Sequence, residues 1–207
     1  VGVLTHLKGL KSAPQSPIAI DVACWQGEAV AAVVARSRAE AEDGCELVEM
    51  TYEELPAVTD PETALDAKTP VIHAALGDNL CFERKLDVGT VDKAFAEADA
   101  VVETTFLFGR HTGVTTEPRA VVADWNPGEQ RMTVYHGTQA PHMMQNLFAK
   151  HLGLEEQQVR VVTKDVGGSF GIKVHTYADE MATVALSKLL KRPVKFVADR
   201  IESFVTD

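Results

Sequence analysis

Val166-Gly167-Gly168-Ser169-Phe170-Gly171-Ile172-Lys173 stands between a strand-like pattern and a helical one. Before it, Val159, Val161, Val162 and Val166 make an alternating apolar run. After it, a helical pattern starts near Thr176, and Pro193 to Ala198 reads as a further strand. Strand, glycine loop, helix and strand make a β-loop-α-β unit, which asks for a parallel sheet and a right-handed crossover. Glycines let the backbone take positive φ and approach a ligand with no Cβ atom in the way. Free N–H groups there, near a helix N-terminus, suit an anionic group such as a phosphate. Two phosphate-binding patterns nevertheless fail on spacing. A G-x-G-x-x-G fingerprint needs a glycine where Val166 stands, and a P-loop needs Gly-Lys-Ser/Thr, whereas Ile172 separates Gly171 from Lys173 and Val174 follows. Taken by itself, the loop fits a tight structural turn equally well.

The rest of the chain bounds what such a loop can serve. Its 207 residues suffice for one large domain or two small ones with a real core. A net charge of −10 argues against nucleic acid as a partner, since phosphate binding needs a basic face. Cys24, Cys45 and Cys81 form no C-x-x-C pair, so neither a zinc site nor a disulfide framework is indicated and no metal ligand is assigned. Cys45 shares a helical stripe with Ala41 and Val48 and is expected to be buried. This cysteine usage fits a reducing, cytoplasmic compartment. No run is long and apolar enough to span a membrane, and no signal peptide is visible. Val1-Gly2-Val3-Leu4-Thr5 begins abruptly in strand-like sequence, and Arg200 to Asp207 stops without a capping signal. Both ends read as cuts through a longer protein.

In chain order, Ile18 to Ala23, Ala29 to Ala35 and Met50 to Leu55 read as strands. Ser37, with Glu40 three residues on, caps a helix from about Arg38 to Val48. Leu76 to Gly89 lacks periodicity and reads as a linker, and Thr90 caps a short helix to Ala96. Ala100 to Phe108 reads as a strand. Arg119 to Trp125 and Arg131 to His136 form a hairpin across Asn126-Pro127-Gly128-Glu129, where Pro then Gly favour a type II turn. Pro141 starts a helix that Gly153 closes, with Met144, Leu147, Phe148 and Leu152 as its buried stripe. The helix after the glycine loop is expected to bury Ala178, Ala182, Ala185 and Leu189. The expected architecture is α+β: an α/β unit over 1–73, a linker and short helix over 74–99, and a second α/β unit over 100–207.

Several of these segments together resemble the molybdenum-binding large subunit of the xanthine dehydrogenase, aldehyde oxidase and carbon monoxide dehydrogenase family. Ala29 to Ala35, Ala39-Glu40-Ala41-Glu42-Asp43 and Val48 to Val58 resemble its α/β hammerhead domain. Thr116-Glu117-Pro118-Arg119-Ala120, Gly137-Thr138-Gln139-Ala140-Pro141-His142 and Asp165 to Gly171 resemble the opening of its molybdopterin-binding domain. The resemblance implies a molybdenum–molybdopterin cofactor, in some members a cytosine dinucleotide. It implies oxidation of an aldehyde or N-heterocycle with oxygen from water. Electrons would leave through 2Fe-2S clusters to FAD. The implied partners are the remainder of the molybdenum subunit, an iron–sulfur subunit, an FAD subunit and a small-molecule substrate.

By the same resemblance Gly168, Phe170 and Gly171 contact the cofactor, and Gln139 faces an oxygen on molybdenum, where a neutral amide donates without adding charge. His142, Arg110 and His111 stand near enough in sequence to line the site, but no local pattern demands it. Glu117 reads as a structural carboxylate and Glu53-Glu54 as a solvated edge. The family's purine-oxidising members carry a glutamate after the loop lysine; Val174 stands there here, which disfavours xanthine. The cysteine-bearing loop of carbon monoxide oxidation is not visible. The catalytic carboxylate of the family lies beyond the region resembled. Glu180 falls about two helical turns past Lys173, facing away, so the chain alone is expected to be inactive. The competing reading is a non-catalytic assembly module or a degenerate fragment of such a complex.

Overall fold

The computed structural model describes residues 8–207, so the strand-like reading of Val1 to Thr5 lies outside the described residues. The expected mixture of helix and sheet is present. Strands β1 (Ala120–Asn126), β2 (Arg131–His136), β3 (Val159–Val162) and β4 (Val194–Val197) form one sheet in the order β3-β2-β1-β4. β1 pairs antiparallel with β2, Val122 opposite Tyr135, and antiparallel with β4, Val121 opposite Phe196. β2 and β3 are parallel, with Val134 opposite Val161. The sheet is therefore mixed, not parallel. β3 and β4 do run in the same direction, but at opposite edges, because the β1–β2 hairpin already holds the centre. The adjacent parallel pair is β2 and β3, joined through helix α3 (Pro141–Leu152).

One face of the sheet is apolar because its strands alternate. Val121, Ala123 and Trp125 on β1, and Met132 and Val134 on β2, are buried with Met144 and Phe148 of α3 and Met181 and Val184 of α4 (Ala178–Leu190). Gly153, at φ 63, ends α3 as expected. The hairpin turn differs from the expected type II. The positive φ falls at Gln130 (49°), not Gly128, because Asn126 Oδ1 accepts from the amides of Gly128 and Glu129 and winds the turn the other way. Of the expected stripe on α4, Ala182 is buried and Ala178 and Ala185 are half-buried, but the stripe is displaced. Leu189 is exposed, and Glu180, Thr183, Val184 and Ser187 face inward. The polar members of that stripe have partners: Ser187 Oγ accepts from the Trp125 amide and donates to the Arg192 carbonyl.

Before residue 119 regular structure is sparse. Helix α1 (Arg38–Glu46) is capped by Ser37, whose side chain accepts from the Glu40 amide, and α2 is Val91–Ala96. Thr90 makes no capping bond. Cys45 is exposed, contrary to expectation. Gly44 is the point of α1 that rests on Val33, where an added Cβ would lie 2.8 Å from Val33 Cγ1, and this turns Cys45 outward. The expected strands at 18–23, 29–35, 50–55 and 100–108 are not in a ladder among the described residues. Each lacks a strand edge to satisfy its backbone; the amide of Ala19 bonding the Ala29 carbonyl at 2.7 Å is what links the first two. Along 100–108 the apolar side chains face outward, Leu107 at 95% exposure. No helix among the described residues is long and apolar enough to cross a membrane.

A buried cation ties the sheet to the two C-terminal helices. Arg119, immediately before β1, grips Asp179 with two bonds of 2.6 Å and donates to Thr206 Oγ1 at 2.8 Å. Its guanidinium lies 3.9 Å from the Tyr177 ring centroid and 3.6 Å from Glu180 Oε1, which also contacts His136 Nε2 of β2 at 3.0 Å. Burial acts to lower the Arg119 pKa, but hydrogen bonding to Asp179 and then the charges of Asp179 and Glu180 hold it above its ordinary value. Helix α5 (Arg200–Val205) is thereby tied to α4 and β1. Removing one member of such a set leaves the others buried and uncompensated, at a cost of about 3–5 kcal/mol. Arg119→Leu should therefore lower the urea midpoint strongly while Lys195→Leu, on exposed β4 surface, should not. Equal midpoints for Arg119→Leu and the unaltered protein would reject the role given to this cation.

Candidate functional site

Three segments far apart in the chain meet at Lys173. Its side chain is 1% exposed, and its Nζ lies 2.6 Å from Glu117 Oε2. The same carboxylate oxygen accepts from the Gly167 amide at 2.8 Å, and the Glu117 amide donates back to the Gly167 carbonyl at 3.2 Å. At the far end, the Lys173 carbonyl accepts from Thr138 Oγ1 at 2.9 Å and from the Gln139 amide at 3.2 Å. Ser169 Oγ donates to Gln139 Oε1, which closes the ring of contacts. The 167–173 loop is thus held at both ends by residues 30 to 56 positions away.

The loop between those anchors has an unusual backbone. Gly168 and Gly171 both take φ of +95°, and Phe170, a bulky residue, takes +52°. Gly167 is required for a different reason: a Cβ there would lie 2.5 Å from Glu117 Cβ, so only glycine allows the two segments to meet. The loop does not open directly onto a helix, as the sequence suggested. A 3-10 turn over Ile172–Val174 intervenes and α4 begins at Ala178. Any anion would therefore be met by loop amides and not by a helix N-terminus. The amides of Gly168, Ser169, Phe170 and Gly171 make no hydrogen bond among the described residues.

Each expected site residue can now be placed. Gln139 is exposed at the end of β2, with Oε1 engaged by Ser169 and Nε2 left as a donor. Gly168 and Gly171 carry the positive-φ turns, and an added Cβ at Gly171 would meet no atom within 4 Å. Phe170 is 79% exposed. Together they form a cradle with free donors and empty space on one side, which fits an anionic, flat-edged cofactor. Among the described residues no group of three His, Cys, Asp or Glu could hold a metal ion. A cofactor that brings its own metal asks this chain for hydrogen bonds and shape alone. A cleft of about 560 Å³ opens beside the loop, lined by His111, Thr112, Phe170, Gly171, Val174 and His175.

The structure separates other candidates from this site. His142 is exposed on the first turn of α3 without a bond to Gln139 or the loop. Arg110 donates to the Asp207 carbonyl at 2.6 Å and borders a second cleft. Glu180 is buried against His136, away from the cleft. Sequence reasoning missed Lys173 as the hub; a lone lysine between Ile172 and Val174, beside glycines, is the signal of a buried cation that needs a distant carboxylate.

Comparison with known proteins gives the family. Residues 72–207 match the family model of the molybdopterin cofactor-binding domain. The chain is 36% identical to the nicotine 6-hydroxylase large subunit of Paenarthrobacter nicotinovorans, over 96% of this chain and 24% of that one. It is 31% identical to the carbon monoxide dehydrogenase large chain of Afipia carboxidovorans, over 98% of this chain and 27% of that one. Its fold superposes on quinoline 2-oxidoreductase from Pseudomonas putida 86 with a TM-score of 0.90 and 34% identity, covering 96% of this chain and 25% of that one. The chain spans about a quarter of the length of the relatives it matches.

The Lys173–Glu117 contact gives the loop a defined pH response. Hydrogen bonding from Lys173 first, with the Gly167 amide and the Lys173 charge, holds the Glu117 carboxyl below its ordinary pKa, against the opposing effect of burial. A group depressed on folding adds stability above its unfolded pKa and loses it as pH falls through the folded one. Unfolding midpoints should thus drop as acid is taken below the ordinary carboxylate range. Glu117→Gln should remove that part of the drop, and the gap between variant and unaltered protein should close at low pH. Parallel curves for the two proteins across that range would show that Glu117 does not hold the loop.

Proposed function

The chain belongs to the molybdopterin cofactor-binding family of molybdenum-dependent oxidoreductase large subunits, and on that premise we propose that it forms one wall of the catalytic centre of a cytoplasmic hydroxylase. The reading is carried by the 167–173 loop, whose amides from Gly168 to Gly171 stay free while both its ends are tied down. When bound, the cofactor supplies the redox chemistry that oxidises a substrate carbon with oxygen from water. The substrate class is an aldehyde or an N-heterocycle; relatives described as a nicotine hydroxylase and a quinoline oxidoreductase favour the heterocycle. Electrons pass through 2Fe-2S clusters to FAD on partner subunits, and the cofactor takes the molybdopterin form, with a cytosine dinucleotide as one variant.

In this reading Gly168, Phe170 and Gly171 offer backbone amides to the cofactor. Positive φ at the two glycines turns those amides outward at no steric cost. Gln139 is oriented by Ser169 so that its amide nitrogen remains a donor toward the metal's oxygen. Lys173 and Glu117 neutralise one another and hold the loop. The carboxylate that takes a proton during turnover comes from outside this chain, because Glu180 is committed to His136 and Arg119.

Two variants in the assembled complex test the loop and the amide separately. Gly168→Val should lower molybdenum and pterin content together, since a β-branched residue resists φ near +95° and its side chain would press on Thr115 and Phe170. Gln139→Ala should keep the cofactor but cut turnover by about a hundredfold, the cost of one preorganised donor, ~3 kcal/mol. Normal content and activity in the first variant would remove the loop from the cofactor site. An unchanged chemical step in the second would leave Gln139 structural.

Residues 1–207 by themselves should neither retain the cofactor firmly nor turn over. Co-expression with cofactor biosynthesis, followed by molybdenum analysis and assay with an artificial acceptor, checks this. Stoichiometric metal with sustained turnover would mean that the required base lies within this chain.

A further inference from the structure

We infer that Thr138 and Ser169 are positioning residues that act through Gln139: Thr138 sets where the Gln139 amide stands, and Ser169 sets which end of it faces the cofactor. The inference rests on the hydroxylase function proposed for the chain. Both constraints start from the main chain of Lys173, its N–H on one side and its carbonyl on the other.

Thr138 is 2% exposed, while Gly137 before it is half-buried and Gln139 after it is exposed. A hydroxyl in such a place is costly unless its bonds are made. Its Oγ1 accepts from the Ala140 amide at 3.1 Å, which leaves its single proton for the Lys173 carbonyl at 2.9 Å. The Gln139 amide donates to the same carbonyl at 3.2 Å, so both of its lone pairs are used. One carbonyl of the loop thus holds two successive residues. Gln139 is fixed by its own backbone and by the side chain before it.

A glutamine side chain donates at one end and accepts at the other, and a half-turn about its last bond exchanges the two. Ser169 removes that freedom. Its Oγ accepts from the Lys173 amide at 3.3 Å and donates to Gln139 Oε1. With the Gln139 amide turned over, Ser169 would accept twice, and its proton would have no acceptor among the described residues. The sequence of bonds therefore runs one way, from the Lys173 N–H through Ser169 to Oε1, and it leaves Nε2 as the outward donor. A backbone N–H can only donate, so this polarity is set before any ligand arrives. Bonds aligned in one direction also strengthen one another, which makes Nε2 a better donor.

The test uses the assembled complex. Resonance Raman spectroscopy reads the metal–oxygen stretching band of the bound cofactor, and quinoline serves as the probe of turnover. A hydrogen bond donated to that oxygen lowers the band, so Gln139→Ala should raise it. Ser169→Ala and Thr138→Val, the second of which keeps shape but not hydroxyl, should each move the band the same way by less. Each should cut kcat by about tenfold, with KM within about twofold and molybdenum content unchanged. Ser169→Thr and Thr138→Ser, which keep the hydroxyl, should restore band and rate. Added to Gln139→Ala, neither loss should shift band or rate further. Ser169→Ala alone decides the matter where Thr138→Val fails to assemble. A band unmoved in Ser169→Ala, while Gln139→Ala moves it, would overturn the inference and leave the proposed function intact. So would losses that persist in full in the Gln139→Ala background, the mark of a structural role independent of Gln139. A band that Gln139→Ala leaves in place would take Gln139 from the cofactor and this inference with it. An unaltered complex without molybdenum would remove the hydroxylase reading as well.

Discussion

An ammonium group buried without a partner is among the costliest things a protein can hold, and Lys173 escapes that cost through a single carboxylate. Much of the site is built by satisfying this one group. Glu117 must stand where the ammonium is, which brings it against Gly167, and that approach admits no side chain. The same carboxylate oxygen then takes the Gly167 amide as well. With its start pinned, the loop is pinned again at its end by the Lys173 carbonyl. The amides between the two anchors are left with no internal partner, in a backbone that cannot relax to find one. Such preorganisation lets a ligand be bound without the entropy of ordering the loop.

Arg119 applies the same device one layer deeper. Pro118 alone separates Glu117 from Arg119, and this short segment serves the loop with one side chain and the core with the other. The consequence reaches α4, whose inward face is chosen by Glu180 and Ser187 as much as by Met181 and Val184. It also places Tyr177, whose hydroxyl lies 2.6 Å from the Ile172 carbonyl and so braces the turn after the loop. Burial raises the pKa of that hydroxyl, with the hydrogen bond to Asp207 adding to the effect, and it stays a neutral donor. Core and site therefore share a frame.

The parts of this frame that repeat locally could be read from the sequence. Strand alternation in β1 and β2, the Pro141 start and Gly153 stop of α3, and the Ser37 cap depend on neighbours within a few residues. What escaped depends on partners far away. The phase of α4 could not be read from its alanines, because Glu180 turns inward for His136 and Arg119. The apolar runs before residue 119 have strand composition, but a strand is a relation between two segments, and composition names only one of them. Around the loop, the positive φ of Gly168 and Gly171 could be anticipated from their being glycine, whereas the bonds that fix the loop join Gln139 to Ser169 and Lys173 to Glu117, across distances no periodicity spans.

The outward-facing run from Ala100 to Phe108 carries a colloidal consequence. Its backbone makes no hydrogen bond among the described residues, and Val102, Phe106, Leu107 and Phe108 project into solvent. A segment with exposed apolar side chains and amides lacking an internal partner is a template on which a second such segment can pair, and so on along a growing assembly. What opposes that growth is the long-range repulsion of chains that each carry a net charge of −10. Repulsion of this kind is screened within roughly 10 Å at 0.1 M salt, while strand pairing is not. Handling of this span is therefore governed by ionic strength: dilute buffer keeps copies apart, and salt brings their sticky edges into reach.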